Sequence, residues 1–140
     1  MLILEWFIGF MPPRASEPRM WFGHVEMWGY TDDEDWVFFD FNSILPEIRI
    51  VHRHDDVLHL LTERNERCPE VWSYVPKSSV RVPVFPPMNC VTVCAHILGL
   101  RAWTPNGLRR TLRANGARKI TNGHSEEIRR ATTPGAYGLH

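Results

Sequence analysis

The sequence is poor in cysteine and carries no net charge. Its 140 residues include three cysteines, an odd number without paired spacing, so we expect free thiols and a reducing compartment rather than a disulfide scaffold. Lysine and arginine total 16 and are balanced by 16 aspartate and glutamate residues. Composition therefore gives no reason to expect nucleic acid or an anionic membrane surface as a partner.

The sequence also lacks a hydrophobic run long enough to cross a bilayer, which takes about 20 residues. The apolar stretch from Met1 to Phe10 is short, contains Glu5, and has neither a basic leader nor a cleavage site of the signal-peptide type. We interpret this stretch as a buried strand. We expect a protein that has no membrane span and is cytoplasmic when synthesised.

What the sequence does contain is enough apolar material for one core. Hydrophobic residues make up 44% of the chain and charged residues 23%, which is typical of a globular domain. At this length we expect a single domain over residues 1–116. Residues 117–140 are polar and basic without periodicity, so we expect a tail that is flexible or is ordered by a partner.

Alternating and turn-forming residues predict an α+β fold with an antiparallel sheet of four to five strands packed against a cysteine-bearing helix. Short connections between the first four strands favour antiparallel neighbours. The segment 66–76 shows no regular pattern and is predicted to be irregular. The predicted strands cover about 2–10, 20–30, 36–42, 47–52 and 80–85, and the predicted helices 57–64, 90–99 and 105–115.

Cys90 is the first candidate for chemistry. Asn89 is a good N-cap, which places Cys90 in the first turn of a helix that closes at Gly99. Unpaired backbone N–H groups and the positive helix end favour a thiolate at such a position. A cysteine in an apolar helix more often fills the core, and Cys94 fits that description because it lies on the buried stripe. Cys90 is therefore the candidate nucleophile.

The predicted hairpin collects polar residues on one of its faces. If Tyr30 lies opposite Trp36, one face carries His24, Glu26, Trp28, Phe38, Asp40 and Asn42. The other face is core and carries Val25, Met27, Val37, Phe39 and Phe41. Taken alone, the hairpin favours a half-solvated sheet face whose polar residues point toward water.

Zinc binding is the alternative chemistry for the two helical cysteines. Structural zinc sites use two tight ligand pairs, whereas Cys90 and Cys94 form a single loose pair. His96 lies on a different side of the helix from these cysteines, and we expect His52 and His54 to be exposed at a strand end. We therefore expect no metal and no other cofactor.

The order of these parts resembles a circularly permuted member of the papain-like NlpC/P60 superfamily, as carried by bacteriophages. The resemblance covers roughly residues 20–115, and two hairpin segments are similar to the strands that hold the histidine and a third polar residue in that family. The segments that carry the resemblance are Asn89-Cys90-Val91-Thr92-Val93, Leu98-Gly99-Leu100-Arg101-Ala102-Trp103-Thr104-Pro105, Gly23-His24-Val25-Glu26-Met27-Trp28 and Trp36-Val37-Phe38-Phe39-Asp40-Phe41.

The resemblance implies a papain-like fold and a Cys–His mechanism. It implies Cys90 as the nucleophile, His24 as its base and Asp40 as the residue that orients the imidazole, with Asn42 or Glu26 as alternatives for that third position. The expected function is that of a cysteine peptidase or amidase, a hydrolase whose substrate is a peptide or a peptidoglycan-like cell-wall peptide. The alternative is a non-catalytic virion component that keeps the fold and docks on other virion proteins.

Overall fold

The computed structural model describes residues 2–12, 23–42, 45–52, 54–77 and 89–120, without the side chains of residues 42, 45, 54 and 55. Three predictions fall wholly or partly on other residues. The predicted strand 80–85, the start of the strand predicted at 20–30, and the tail beyond residue 120 lie outside the described residues.

The described chain forms an α+β structure with a six-stranded antiparallel sheet and three helices. The strand order is β4-β3-β2-β1-β5-β6, so the first four strands are neighbours in sequence order as predicted. The elements are β1 (Ile3–Met11), β2 (His24–Thr31), β3 (Trp36–Asn42), β4 (Leu45–Val51), α1 (His54–Arg67), β5 (Glu70–Tyr74), α2 (Cys90–Ile97), α3 (Pro105–Ala114) and β6 (Arg118–Lys119).

Helices cover both faces of the sheet. Helix α1 packs on one face, here called the α1 face, whose core is Phe7, Trp28, Tyr30, Trp36, Phe38, Val51, Val57, Leu61, Cys68 and Val71. Helices α2 and α3 pack on the other, the α2–α3 face, whose core includes Ile8, Phe10, Val25, Met27, Phe39, Val91, Cys94, Leu108 and Leu112. Successive residues of the central strands therefore enter different cores.

The β2–β3 hairpin has the predicted register. Tyr30 pairs with Trp36 and Met27 with Phe39. The turn is stabilised by the Thr31 hydroxyl, which accepts hydrogen bonds from two backbone N–H groups of the loop at 3.2 Å. This register places the polar side chains of β2 beside those of β3.

Strand β5 corrects the prediction of an irregular segment at 66–76. It lies between β1 and β6 and pairs with both, and all five of its residues are buried. Burial on both faces removes the polar–apolar alternation that marks a strand in sequence. With the two-residue β6, the described sheet has six strands rather than the four to five predicted.

The helix boundaries follow the capping residues. The Asn89 side chain accepts hydrogen bonds from the first-turn N–H groups of α2, and Thr104 caps α3 with Pro105 at its first position, both as predicted. Helix α1 has 14 residues and extends beyond the predicted 57–64 at both ends. None of the helices in the described ranges is long and apolar enough to cross a membrane.

Candidate functional site

Three of the residues singled out in the sequence meet at one end of the sheet. His24 is the first residue of β2, Cys90 is the first residue of α2, and Asp40 lies near the end of β3. His24 Nε2 lies 2.9 Å from Asp40 Oδ1, which is a good hydrogen-bond distance. The hairpin register accounts for this contact, because His24 and Asp40 share a face of neighbouring strands.

The Cys90 side chain interacts with the His24 imidazole, through hydrogen bonding and charge, in a way that raises the pKa of His24. Asp40 contacts Nε2 of the same ring, so the imidazole interacts with both the carboxylate and the sulfur. Cys90 and His24 are both half-buried, and each is the first residue of its element, α2 and β2. The site is thus a chain of three side chains, Cys90–His24–Asp40.

Electrostatics in this chain favour a protonated imidazole. The hydrogen bonds to Asp40 and to Cys90 raise the pKa of His24 to about 10, against the opposing effect of burial. Burial by itself would raise the pKa of Asp40, but the hydrogen bond from His24 and the positive charges of His24 and Arg64 lower it below its usual value. At neutral pH the structure therefore holds an imidazolium between a carboxylate and a sulfur.

Glu26 lies beside this chain and is bound by two arginines of α1. Its Oε2 accepts hydrogen bonds from Arg64 Nη1 at 2.7 Å and from Arg67 Nη2 at 2.9 Å. The Glu26 side chain is only 3% exposed, so its charge needs this compensation. Glu26 is therefore committed to α1, whereas Asp40 makes the contact with His24.

His24, Glu26 and Asp40 also offer a set of metal-ligating atoms that lie within 4.8 Å of one another. Two guanidinium groups already contact the Glu26 carboxylate. A divalent cation there would meet two positive charges and would have to displace charge-assisted hydrogen bonds. The geometry fits the ion pairs present better than it fits a metal.

The remaining candidates have no side-chain hydrogen bond to His24 or Asp40 among the described residues. Cys94 is buried in the α2–α3 core as predicted, and burial, together with the nearby charges of Cys90, Asp40 and Glu26, raises the pKa of its thiol well above the usual value. His52 is exposed and contacts Asp35, and His96 is exposed. The backbone of Asn42 ends β3, but its side chain is outside the described part, as is that of His54.

The prediction of a half-solvated hairpin face is wrong. Helix α1 covers that face, and Trp28 and Phe38 are buried there together with Glu26. The sequence reasoning also missed Arg64, whose guanidinium carbon lies 5.1 Å from the centre of the Phe38 ring and 5.7 Å from that of Trp28. Its position at the end of an amphipathic helix gave no sign of the site, because arginine is common in last helical turns.

An open groove of about 570 Å³ lies elsewhere, between β4 and the first half of α1, and is lined by Arg49, Ile50, Val51, His52, Asp56, His59 and Leu60. None of the residues that line it belongs to the Cys90–His24–Asp40 site. The groove and the site use different ends of the same helix, since Arg64 and Arg67 lie in the last turns of α1.

Comparisons with known proteins give no relative for this chain: no family model, no curated protein and no solved structure matches it.

Proposed function

We propose that this protein hydrolyses amide bonds by a Cys–His mechanism, with Cys90 as nucleophile, His24 as proton carrier and Asp40 as the residue that orients the imidazole. The observation that carries the proposal is that His24 lies 2.9 Å from Asp40 and also interacts with Cys90, the first residue of a capped helix. A nucleophile, a base and an orienting carboxylate in mutual contact are the parts that this chemistry needs.

The charges of the site suit each half of the reaction. The Cys90 thiolate attacks the carbonyl carbon and forms a C–S bond, while the carbonyl π electrons move to oxygen. The His24 imidazolium gives its proton to the amide nitrogen as the C–N bond breaks, leaving a thioester. Water then adds to the thioester carbonyl and gives a proton to His24, the C–S bond breaks, and the acid product leaves the restored thiolate.

The first turn of α2 supplies a donor for the oxyanion of the intermediate. The Asn89 side chain accepts hydrogen bonds from the N–H groups of Val91 and Thr92, both at 2.9 Å. Among the described residues, no acceptor engages the N–H of Cys90. This N–H is adjacent to the sulfur and lies at the positive helix end, where a developing negative charge is stabilised.

The substrate class and the papain-like assignment follow from the resemblance to circularly permuted NlpC/P60 proteins. A helix with cysteine at its N-terminus, packed on an antiparallel sheet whose earlier strands hold histidine and aspartate, supports that assignment. On this basis we propose a peptide, such as a cell-wall peptide, as substrate, and a bacteriophage protein as the source of the activity.

Thiol labelling tests the dyad without knowledge of the substrate. Cys68 and Cys94 are buried, so burial alone would slow their labelling. The sharper comparison is between the labelling rates of Cys90 in two proteins, the wild type and a His24 variant. We expect iodoacetamide at pH 6.5 to modify Cys90 about tenfold or more faster in the wild type than in His24→Gln, since the imidazolium stabilises the thiolate. Mass spectrometry of the digested protein gives the rate at each cysteine.

The matching activity test uses peptidoglycan fragments and unstructured peptides, with products identified by mass spectrometry. Cys90→Ala is expected to abolish cleavage, and Cys94→Ala to retain it if folded. Equal labelling of Cys90 in the wild type and in His24→Gln, at the rate seen in the urea-unfolded chain, would overturn the proposal.

A second candidate is a non-catalytic component that binds other virion proteins. The observation that favours it is the apolar surface along β4, where Ile48 is 64% exposed and Ile50 is 46% exposed, next to the groove beside α1. Such a protein needs no reactive thiol, so the labelling experiment also separates these two functions.

A further inference from the structure

Two carboxylates lie side by side in the site, and their proximity has an energetic cost. Glu26 and Asp40 each place a carboxylate oxygen within 4.8 Å of the other and of a His24 ring nitrogen. Glu26 is nearly fully buried, and the Asp40 side chain is 18% exposed. Two like charges at this distance in a poorly solvated place repel each other, and one of them tends to take up a proton.

Arg64 is positioned to cancel that repulsion. Its Nη1 donates to Glu26 at 2.7 Å, its side chain is 11% exposed, and its guanidinium lies over the rings of Trp28 and Phe38. The same charge acts on Asp40 and contributes to the lowered pKa of that carboxyl. One cation on α1 therefore interacts with both carboxylates.

Arg67 is a weaker second cation. It donates to the same Glu26 oxygen at 2.9 Å, but 38% of its side chain is exposed, and it shares its charge with Glu63 at 3.4 Å. Within the described ranges, the charged and titratable groups that act on His24, Glu26 and Asp40 from the helices are thus Cys90 and Cys94 of α2 and Arg64 and Arg67 of α1.

We propose that Arg64 is a positioning residue of the site, which holds Glu26 and Asp40 ionised next to each other so that Asp40 stays bound to His24. This inference rests on the proposed function for its importance to catalysis. Its physical content, the coupling of helix α1 to the Asp40 carboxylate, is measurable without any substrate.

The test follows the Asp40 carboxyl carbon by ¹³C NMR while the pH is varied. In Arg64→Met, we expect the apparent pKa of Asp40 to rise by about one unit or more, because an opposite charge nearby is lost. The pH below which the labelling rate of Cys90 falls, measured between pH 4 and 8, should also move upward. In Arg64→Lys the apparent pKa of Asp40 should rise less than in Arg64→Met, because lysine keeps the positive charge but not the planar fork of arginine.

The chain offers a matched control in Arg109 of α3. Arg109 Nε binds Glu70 at 2.5 Å, and its guanidinium lies 5.9 Å from the centre of the Trp72 ring. Arg109→Met therefore removes an arginine–glutamate pair of the same kind from a different part of the sheet. The apparent pKa of Asp40 should be unchanged in this variant.

A double variant decides the mechanism. If Arg64 acts by balancing two carboxylates, Glu26→Gln combined with Arg64→Met removes the repulsion as well as the cation, and the Asp40 titration should return toward the wild-type value. This variant also leaves no unpaired buried charge, so it remains informative if Arg64→Met alone fails to fold.

The inference is overturned if Asp40 titrates within about 0.3 units of the wild type in folded Arg64→Met, or if Glu26→Gln gives no recovery in the double variant. Neither readout uses hydrolysis. Loss of the proposed function, seen as an unreactive Cys90 in the wild type, is therefore distinguishable from failure of the role assigned to Arg64.

Discussion

His24 is the residue at the centre of the site's electrostatic interactions, because both Asp40 and Cys90 raise its pKa. The sequence resemblance gave it the role of a base, whereas its raised pKa makes it an imidazolium at neutral pH. In the proposed mechanism a His24 that already carries its proton acts first as an acid toward the leaving nitrogen.

The raised pKa of His24 also predicts how stability depends on pH. A folded-state pKa of about 10 against an unfolded value of ~6.5 means that the folded protein binds the proton more tightly. The stabilisation is complete below about pH 6.5 and is lost as the pH rises toward about 10. We expect the free energy of unfolding of the wild type to fall relative to His24→Gln by about 2–4 kcal/mol across this range.

Urea unfolding at several pH values measures this difference. Other groups that lose protons in alkali act on both proteins, so His24→Gln is the proper reference. A stability difference that stays constant between pH 6.5 and 10 would contradict the protonated His24.

The same residues show how much of the site the sequence can predict. A helix cap singled out Cys90, and strand alternation put His24 and Asp40 on one face, which are local rules; the family resemblance then selected His24 and Asp40 from that face, and the structure brings the three residues together. The position of Arg64 and its ion pair with Glu26 depend on the way α1 packs against the sheet. That docking is a contact between residues 38 positions apart, for which a single sequence gives no signal.

At the scale of elements, helix α2 connects local capping to reactivity. Its capping box satisfies two N–H groups with the Asn89 side chain, while Thr92 Oγ1 accepts from the Asn89 N–H at 2.8 Å. The cap fixes the direction of the first turn and therefore the position of the Cys90 sulfur relative to His24.

We expect Asn89→Ala to lower the free energy of unfolding by about 1 kcal/mol and to slow the labelling of Cys90 at pH 6.5. Asn89→Asp keeps the acceptor and should retain most of the stability. Chemical denaturation and the labelling assay give the two numbers.

The control is Thr104→Ala, which removes the corresponding cap of α3, where the Thr104 side chain accepts from the Gly107 N–H at 3.0 Å. This variant should lower the free energy of unfolding by a similar amount without changing the labelling rate of Cys90. Slower labelling in Thr104→Ala by the same factor would show that the effect of Asn89 is not local.

Strand β5 shows why part of the fold escaped sequence analysis. Its polar residues are buried because each has a partner in the fold: Ser73 donates to Glu5, and Glu70 accepts from Trp72 Nε1 at 2.7 Å. Sequence alternation identifies a strand by regularly spaced polar and apolar residues, and the five-residue β5 has polar residues only at Glu70 and Ser73, on opposite faces. The amphipathic helices and their caps were predictable because their signals are short-range.

At the scale of the whole molecule, one sheet is shared by two cores. Neighbouring residues of β1 go to opposite sides, with Phe7 in the α1 core and Ile8 in the α2–α3 core. Gly9 lies where an added Cβ would come within 2.5 Å of Cys68 Sγ and 2.8 Å of the Trp28 ring, so the backbone of β1 is in close contact with the α1 core. Loosening one core should therefore loosen the strands that form the other.

This sharing predicts a single cooperative unfolding transition that is shifted by truncation in either core. Leu61 of α1 and Leu108 of α3 are both fully buried on opposite sides of the sheet, and Leu61→Ala and Leu108→Ala should each lower the free energy of unfolding by about 2–5 kcal/mol. Ile48→Ala, at a residue that is largely exposed, should change it by less than about 0.5 kcal/mol. In each variant, tryptophan fluorescence and far-ultraviolet circular dichroism should give the same urea midpoint. Two separated midpoints in Leu61→Ala would mean that α1 unfolds on its own, and the coupling of α1 to Asp40 would then depend on a locally unstable helix.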